Sequence, residues 1–413
     1  EIQYCDWSSD VCSSDLRNEP FRINNNHTLR ATPTDQSGSN NHLRITQEKI
    51  MQKMTLRKGI LLLVMAASLC LNFMTTHSAS ADPPPNDRRV AVVTLLGDSF
   101  SAGNGAGDYY DNEPRISYRS HNNWAHHYVK SLRNRGIATI FHNLAFSGAT
   151  TDTVRSEQIN KVPSDSDLVM FSIGGNDKNA FGNIAINCFL SATQSPKGCG
   201  ESIDAAEIFI QSGGLRINTE KVLEELDARL SNKHAQIVLM GYPHLSIDDP
   251  EFLLSRCVKW DTDTRKCKEY YSYPTANRVR EVVNELAAVQ EQLVRNWNIN
   301  NDGSRHTVRY VSSIRSDFAG HEPNPSTDFK NDYRWLNEFW ETKGHLGNSG
   351  KTEATFTANF AEWYHPNQIG HQKMGEALNN TVSPASFTRE ASTSQAPVST
   401  RSEERRVGKE CRS

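Results

Sequence analysis

The chain has 413 residues, with 45 lysines and arginines set against 48 aspartates and glutamates for a formal net charge of −3. That balance excludes the basic footprint of a nucleic-acid-binding protein. Its length is enough for one sizeable hydrophobic core.

Taken in chain order, Asp6 to Leu16 and Arg401 to Ser413 have the look of an adapter oligonucleotide translated in frame. Residues 1–50 are therefore read as a non-native or untranslated leader outside any fold, and Cys5, Cys12 and Cys411 are set aside. From Met54 the pattern is that of a secretory signal peptide over residues 54–81. Basic Arg57 and Lys58 precede an apolar run from Gly59 to Leu71, and Ala79-Ser80-Ala81 supplies a small-residue cleavage site. The apolar run is shorter than the roughly 20 residues a membrane span needs. Leu69 is too bulky for Cys70 to belong to a lipoprotein signal, so no stable membrane anchor is expected. The mature protein is expected to begin near Asp82, outside the cytoplasm. Residues 82–380 would form the catalytic domain, and residues 381–413 a Ser/Thr-rich tail ending in adapter-like sequence.

Arg88 to Val93 is a β-branched run of the kind found in buried parallel strands. It leads into Gly97-Asp98-Ser99, a glycine-dotted turn. A helix is expected over 123–133, with Trp124, Tyr128 and Leu132 on its core face. Further strands are expected at 136–141, 167–173, 235–240 and 307–311, and further helices near 219–230 and over 276–297. Residues 178–214 read as a loop and short-helix insertion. The stretch from Phe318 to Phe356, carrying Trp335 and Trp340, reads as a long irregular segment, either a substrate-facing lid or a surface loop. Alternating strands and helices imply a parallel sheet covered on both faces.

Four cysteines remain in the mature region, in two sequence-local pairs: Cys188 with Cys199, and Cys257 with Cys267. In an exported protein two local disulfides are the natural reading. Zinc is the competing one, but the spacings lack a Cys-x-x-Cys and no histidine stands nearby at ligand spacing.

Four loops after different strands each supply one component of acyl transfer. Ser99 supplies a hydroxyl, Gly148 an unobstructed backbone amide, Asn176 a side-chain amide on a glycine-rich turn, and His365 an imidazole. A serine hydroxyl needs an adjacent base to act as nucleophile, and a near-neutral histidine suits that task. The amides of Ser99 and Gly148 and the Asn176 side chain suit an oxyanion hole.

In that combination the chain resembles the SGNH-hydrolase superfamily, the GDSL esterases and lipases, of the secreted type. The matching residues are Gly97-Asp98-Ser99-Phe100, Gly148, Gly174-Gly175-Asn176-Asp177 and His365-Pro366-Asn367, spread between Val90 and Leu378. The resemblance implies an α/β fold, a flavodoxin-like three-layer α/β/α sandwich around a central parallel sheet. It also implies hydrolysis of carboxylic esters with Ser99 as nucleophile, His365 as base, and Ser99, Gly148 and Asn176 as oxyanion donors, with no cofactor or metal. In many relatives an acidic residue three positions before the histidine orients it. Here that position is Glu362, while the backbone carbonyl of Trp363 is the other candidate, and the sequence leaves the two open. The expected partner is a small-molecule or lipid ester substrate, and the protein itself is expected to be a monomer. Acyl transfer to another alcohol and polysaccharide O-deacetylation would use the same machinery. A non-catalytic binding module on this fold would be expected to lack one of Ser99, Asn176 or His365, and all three are present.

Overall fold

The structure, a computed structural model, describes residues 90–383 apart from 112–113 and 327–329, together with Phe387. These lie in one of two compact units of the chain, Arg88–Ser413. The expected leader, the signal peptide at 54–81 with Cys70, the tail beyond 383, and Cys5, Cys12 and Cys411 all fall outside the described residues.

Five strands, β1 (Ala91–Gly97), β2 (Thr139–Asn143), β3 (Leu168–Ser172), β4 (Gln236–Met240) and β7 (Thr307–Val311), form a parallel sheet in the order β2-β1-β3-β4-β7. Strand side chains alternate between the faces, and both faces are covered. Val93, Leu95, Leu168, Met170, Val238 and Met240 join one buried cluster. It is covered by α1 (Trp124–Asn134), α5 (Gln368–Thr381) and the first half of α4 (Thr275–Ile299). Leu96, Val169, Phe171, Ile237 and Leu239 join a second cluster, under α3 (Gly214–Arg229) and the last turns of α4 at Leu293 and Trp297. Two covered faces explain why these strands read as unbroken apolar runs rather than alternating ones. The result is a three-layer α/β/α sandwich. The strand order changes direction between β1 and β3, and the crevice outside the carboxyl ends of such strands is where open α/β sheets place their sites.

Two segments differ from expectation. The insertion at 178–214 contains a full helix, α2 (Pro196–Gln211), started by a Ser195 side-chain cap on Gly198 N–H and by Pro196 in its first turn. Its glycines at 198 and 200 mask it in the sequence. The polar excursion with the second cysteine pair is an antiparallel hairpin of β5 (Leu254–Asp261) and β6 (Lys266–Tyr273), and the irregular stretch contains another, β8 (Glu341–Leu346) with β9 (Thr352–Phe356). Both are exposed along much of their length and so lack the apolar alternation that marks a half-buried strand. The cysteines pair as Cys188–Cys199 and Cys257–Cys267.

Candidate active site

β1 ends at Gly97, whose φ of +110° and contact environment both require glycine: a Cβ there would meet the Ser172 carbonyl at 2.3 Å. The chain then makes one helical turn, Ser99–Ala102, capped by Asp98, whose carboxylate accepts from Phe100 N–H at 3.1 Å. The same buried carboxylate accepts from Ser172 Oγ at 2.7 Å and from the Tyr242 hydroxyl. Burial pushes its pKa up to about 6 in spite of those bonds. Asp98 is thus more than a turn former, since it ties the Ser99 turn to β3 and to the loop after β4. Ser99 itself is 6 % exposed.

His365 Nε2 lies 2.7 Å from Ser99 Oγ, across 266 residues of chain. Its Nδ1 lies 2.8 Å from the Trp363 carbonyl oxygen. A contact between a ring and a carbonyl only two residues earlier needs a sharp reversal, and Tyr364 supplies it with a left-handed φ of +55°. That conformation costs a non-glycine residue about 1–2 kcal/mol, and the surroundings hold it in place. The Tyr364 ring stacks on Phe189 at 5.4 Å and leans on Phe339 at 4.7 Å, while its N–H donates to the Asn337 carbonyl at 2.9 Å. Asn337 completes the clamp. Its N–H donates to the His365 carbonyl at 2.9 Å, and its Nδ2 to the carbonyls of Gly105 at 3.1 Å and Glu362 at 3.2 Å.

The imidazole packs against Phe100, with ring centroids 5.0 Å apart. Burial pushes its pKa down to about 4, with the Trp363 carbonyl partly offsetting. The ring is therefore neutral at physiological pH and free to accept a proton at Nε2. Glu362 stands apart from it. Its carboxylate accepts from Asn359 Nδ2 at 3.4 Å and faces Tyr109, whose phenol is raised by burial and by that negative charge. Of the two candidates left open by the sequence, the Trp363 carbonyl is the one in contact with the imidazole. Helix α5 begins at Gln368, two residues beyond Pro366, capped by the Asn367 side chain on Gly370 N–H at 3.0 Å.

Gly148, at φ +78°, and Asn176 sit in the loops that follow β2 and β3. Asn176 Nδ2 donates to the Ala149 carbonyl at 3.2 Å, which brings the two loops together. Asp177 clamps them by accepting from Thr151 N–H at 2.9 Å, Thr151 Oγ at 2.7 Å and Asn218 Nδ2 at 3.1 Å. The Gly148 loop joins the Ser99 turn through Phe146 N–H on the Gly97 carbonyl at 3.0 Å and Asn104 Nδ2 on Ser147 Oγ at 2.8 Å. Among the described residues, the amide N–H groups of Ser99 and Gly148 donate to no protein acceptor.

Sequence reasoning gave Asp98 and Asp177 no role beyond their place in the motifs and passed over Asn104 and Asn337. Long-range contacts of the polar side chains are what assign these roles. His371 is fully buried, and burial pushes its pKa down to about 3. No group of three or more His, Cys, Asp or Glu among the described residues is placed to hold a metal ion.

Residues 95–373 match the model of the GDSL-like lipase/acylhydrolase family. Lipase 1 of Streptomyces coelicolor is 34 % identical over 181 residues, covering 44 % of this chain and 61 % of that protein. The lipase of Streptomyces rimosus is 35 % identical over 148 residues, covering 36 % of this chain and 51 % of that one. The chain thus spans about half to three fifths of the length of these curated relatives. The crystal structure of the extracellular lipase from Streptomyces rimosus superposes with a TM-score of 0.50 at 23 % identity, covering 71 % of this chain and all of the other, and so shares the fold. The chain belongs to the GDSL-like lipase/acylhydrolase family.

Proposed function

From membership of that family, we propose that the protein is a secreted serine hydrolase of carboxylic esters, working through an acyl-enzyme on Ser99 in a catalytic domain over 82–380. The observation that carries the proposal is the 2.7 Å contact between Ser99 Oγ and His365 Nε2, with Nδ1 of the same ring held by the Trp363 carbonyl. That carbonyl accepts a hydrogen bond from Nδ1–H, which fixes the tautomer and leaves the Nε2 lone pair facing the hydroxyl.

In the first half-reaction Nε2 takes the Ser99 proton as Oγ bonds to the ester carbonyl carbon. The carbonyl oxygen becomes an oxyanion facing the N–H groups of Ser99 and Gly148 and the Asn176 side chain. Collapse breaks the carbon–oxygen bond to the leaving alcohol, which receives the proton from the imidazolium. In the second half-reaction the imidazole deprotonates water, the hydroxide adds to the acyl carbon, and the acid departs as Ser99 recovers its proton. No cofactor enters this scheme.

Phe339, Tyr364, Trp363 and Trp340 form a connected aromatic wall beside the histidine loop, with adjacent ring centroids 4.6 to 5.4 Å apart. It favours an apolar acyl group over a sugar-linked acetate. Hydrolysis of p-nitrophenyl esters from acetyl to palmitoyl, with Ser99→Ala as control, tests the reading. Turnover that vanishes in the variant supports it, and turnover that survives in the variant sinks it.

A further inference from the structure

The β5–β6 hairpin leaves the sheet after β4, at the carboxyl edge that also carries the Ser99, Gly148 and Asn176 loops. At its root Leu254 is buried and the Tyr273 ring approaches Gly200 of α2; beyond it most residues are exposed, with Cys257 and Cys267 half-buried and Asp261 buried at the far end of β5. A two-stranded hairpin with so little buried is marginal on its own, and the Cys257–Cys267 bridge ties its strands together.

This covalent tie holds a particular surface. Tyr270 pairs with Cys257 and Trp260 with Cys267, so both aromatics share the face of the disulfide, and they are 62 % and 59 % exposed. Between Leu254 and Tyr273 there are five lysines and arginines against three acidic residues, in a chain of net negative charge. Asp261 pairs with Lys268 at 3.0 Å, which leaves Arg256, Lys259, Arg265 and Lys266 against Asp263 and Glu269. The acidic residues Asp248, Asp249 and Glu251 belong to the segment leading into the arm rather than to its strands. The arm is also continuous with the site: Phe252, just before β5, packs 6.3 Å from Phe189, which stacks on Tyr364 beside His365.

We infer that this arm is an interfacial anchor that docks the protein on an anionic lipid surface with the site turned toward it. Trp and Tyr settle at the headgroup level of a lipid surface, one end apolar and the other wet. Lysines and arginines beside them add an attraction to anionic headgroups that salt screens. The inference deepens the ester-hydrolase reading and rests on it only for what the docked protein does there.

The test is co-sedimentation of the full chain, carrying Ser99→Ala to prevent hydrolysis, with two kinds of vesicle: phosphatidylcholine alone, and phosphatidylcholine mixed with phosphatidylglycerol. The protein is expected to bind the phosphatidylglycerol vesicles more tightly and to be released by salt. Adding Trp260→Ala and Tyr270→Ala should weaken binding by about tenfold or more. In the parent background the same two substitutions should leave p-nitrophenyl acetate hydrolysis and thermal unfolding unchanged, which shows the fold intact. Equal binding by parent and double variant, no binding to anionic vesicles, or salt-insensitive binding to both vesicle types would each overturn the inference. Loss of p-nitrophenyl acetate hydrolysis in the double variant would also overturn it, by placing the arm in the site. Failure of the parent to hydrolyse any ester would instead strike the esterase reading and leave the vesicle result standing.

Discussion

Replacing Glu362 by glutamine separates two ways of orienting His365, the base of the proposed mechanism. In a triad whose imidazole leans on a carboxylate, converting the acid to its amide lowers turnover by about 10⁴. Here the His365 Nδ1 contact, at 2.8 Å, is made by the Trp363 carbonyl, which no side-chain substitution removes. The carboxylate of Glu362 instead serves Asn359 and Tyr109. Glutamine keeps the size and one acceptor oxygen, so the loss is of the order of one charge-assisted hydrogen bond, about 1–2 kcal/mol of stability. It should cost less than about threefold in kcat/KM, because no bond to the reacting groups changes. The assay is kcat/KM for p-nitrophenyl butyrate between pH 3 and 9, with thermal unfolding measured alongside. A drop of a thousandfold or more in a variant that still unfolds cooperatively near the parent temperature would refute this account and return Glu362 to the triad.

Because His365 must be neutral to act as base, and burial holds its pKa near 4, the acid limb of kcat/KM should fall near that value, well below the 6.5 of a free imidazole. A pH–rate profile checks this. Stability follows a related sign. His365 and His371, held at about 4 and about 3, take up protons in the unfolded chain first, so stability should fall as pH drops from 6.5 toward 4. Asp98, raised to about 6, opposes this with one proton and leaves a net lower Tm at pH 5 than at pH 7. Asn176→Ala should lower kcat by about 10²–10³ with little change in Tm, as measured by steady-state kinetics and thermal scanning. Gly105→Ala puts a Cβ 2.3 Å from Asn337 Nδ2 on a backbone at φ +81°, and chemical denaturation should show a loss of about 2–3 kcal/mol.

Much of the scaffold was legible because its physics is local. The strand expected at 307–311 lies there, and those at 167–173 and 235–240 differ by one residue at one or both ends, since two covered faces demand continuous apolar runs. The β5–β6 hairpin was not legible, because Arg256, Tyr270 and Ser272 face solvent and leave no periodicity to read. Ser99, Gly148, Asn176 and His365 were proposed as residue types after strands, and the fold places Ser99 Oγ and His365 Nε2 2.7 Å apart. What stayed hidden was the support around them. Asp98 and Asp177 look like turn formers until Tyr242, Ser172, Thr151 and Asn218 converge on them. Asn337 lies 28 residues from His365, in a stretch without a motif, and only the folded chain brings its amide to that loop. The choice between Glu362 and the Trp363 carbonyl turned on the left-handed backbone of Tyr364, which a tyrosine does not advertise.

The most direct test of an acyl-enzyme on Ser99 is mass spectrometry of the protein after reaction with a fluorophosphonate probe. The account predicts one adduct, on the peptide containing Ser99, with loss of ester hydrolysis in proportion to labelling and no adduct in Ser99→Ala. An unlabelled Ser99 in a protein that still hydrolyses esters, or an adduct on another residue that abolishes activity, would contradict it.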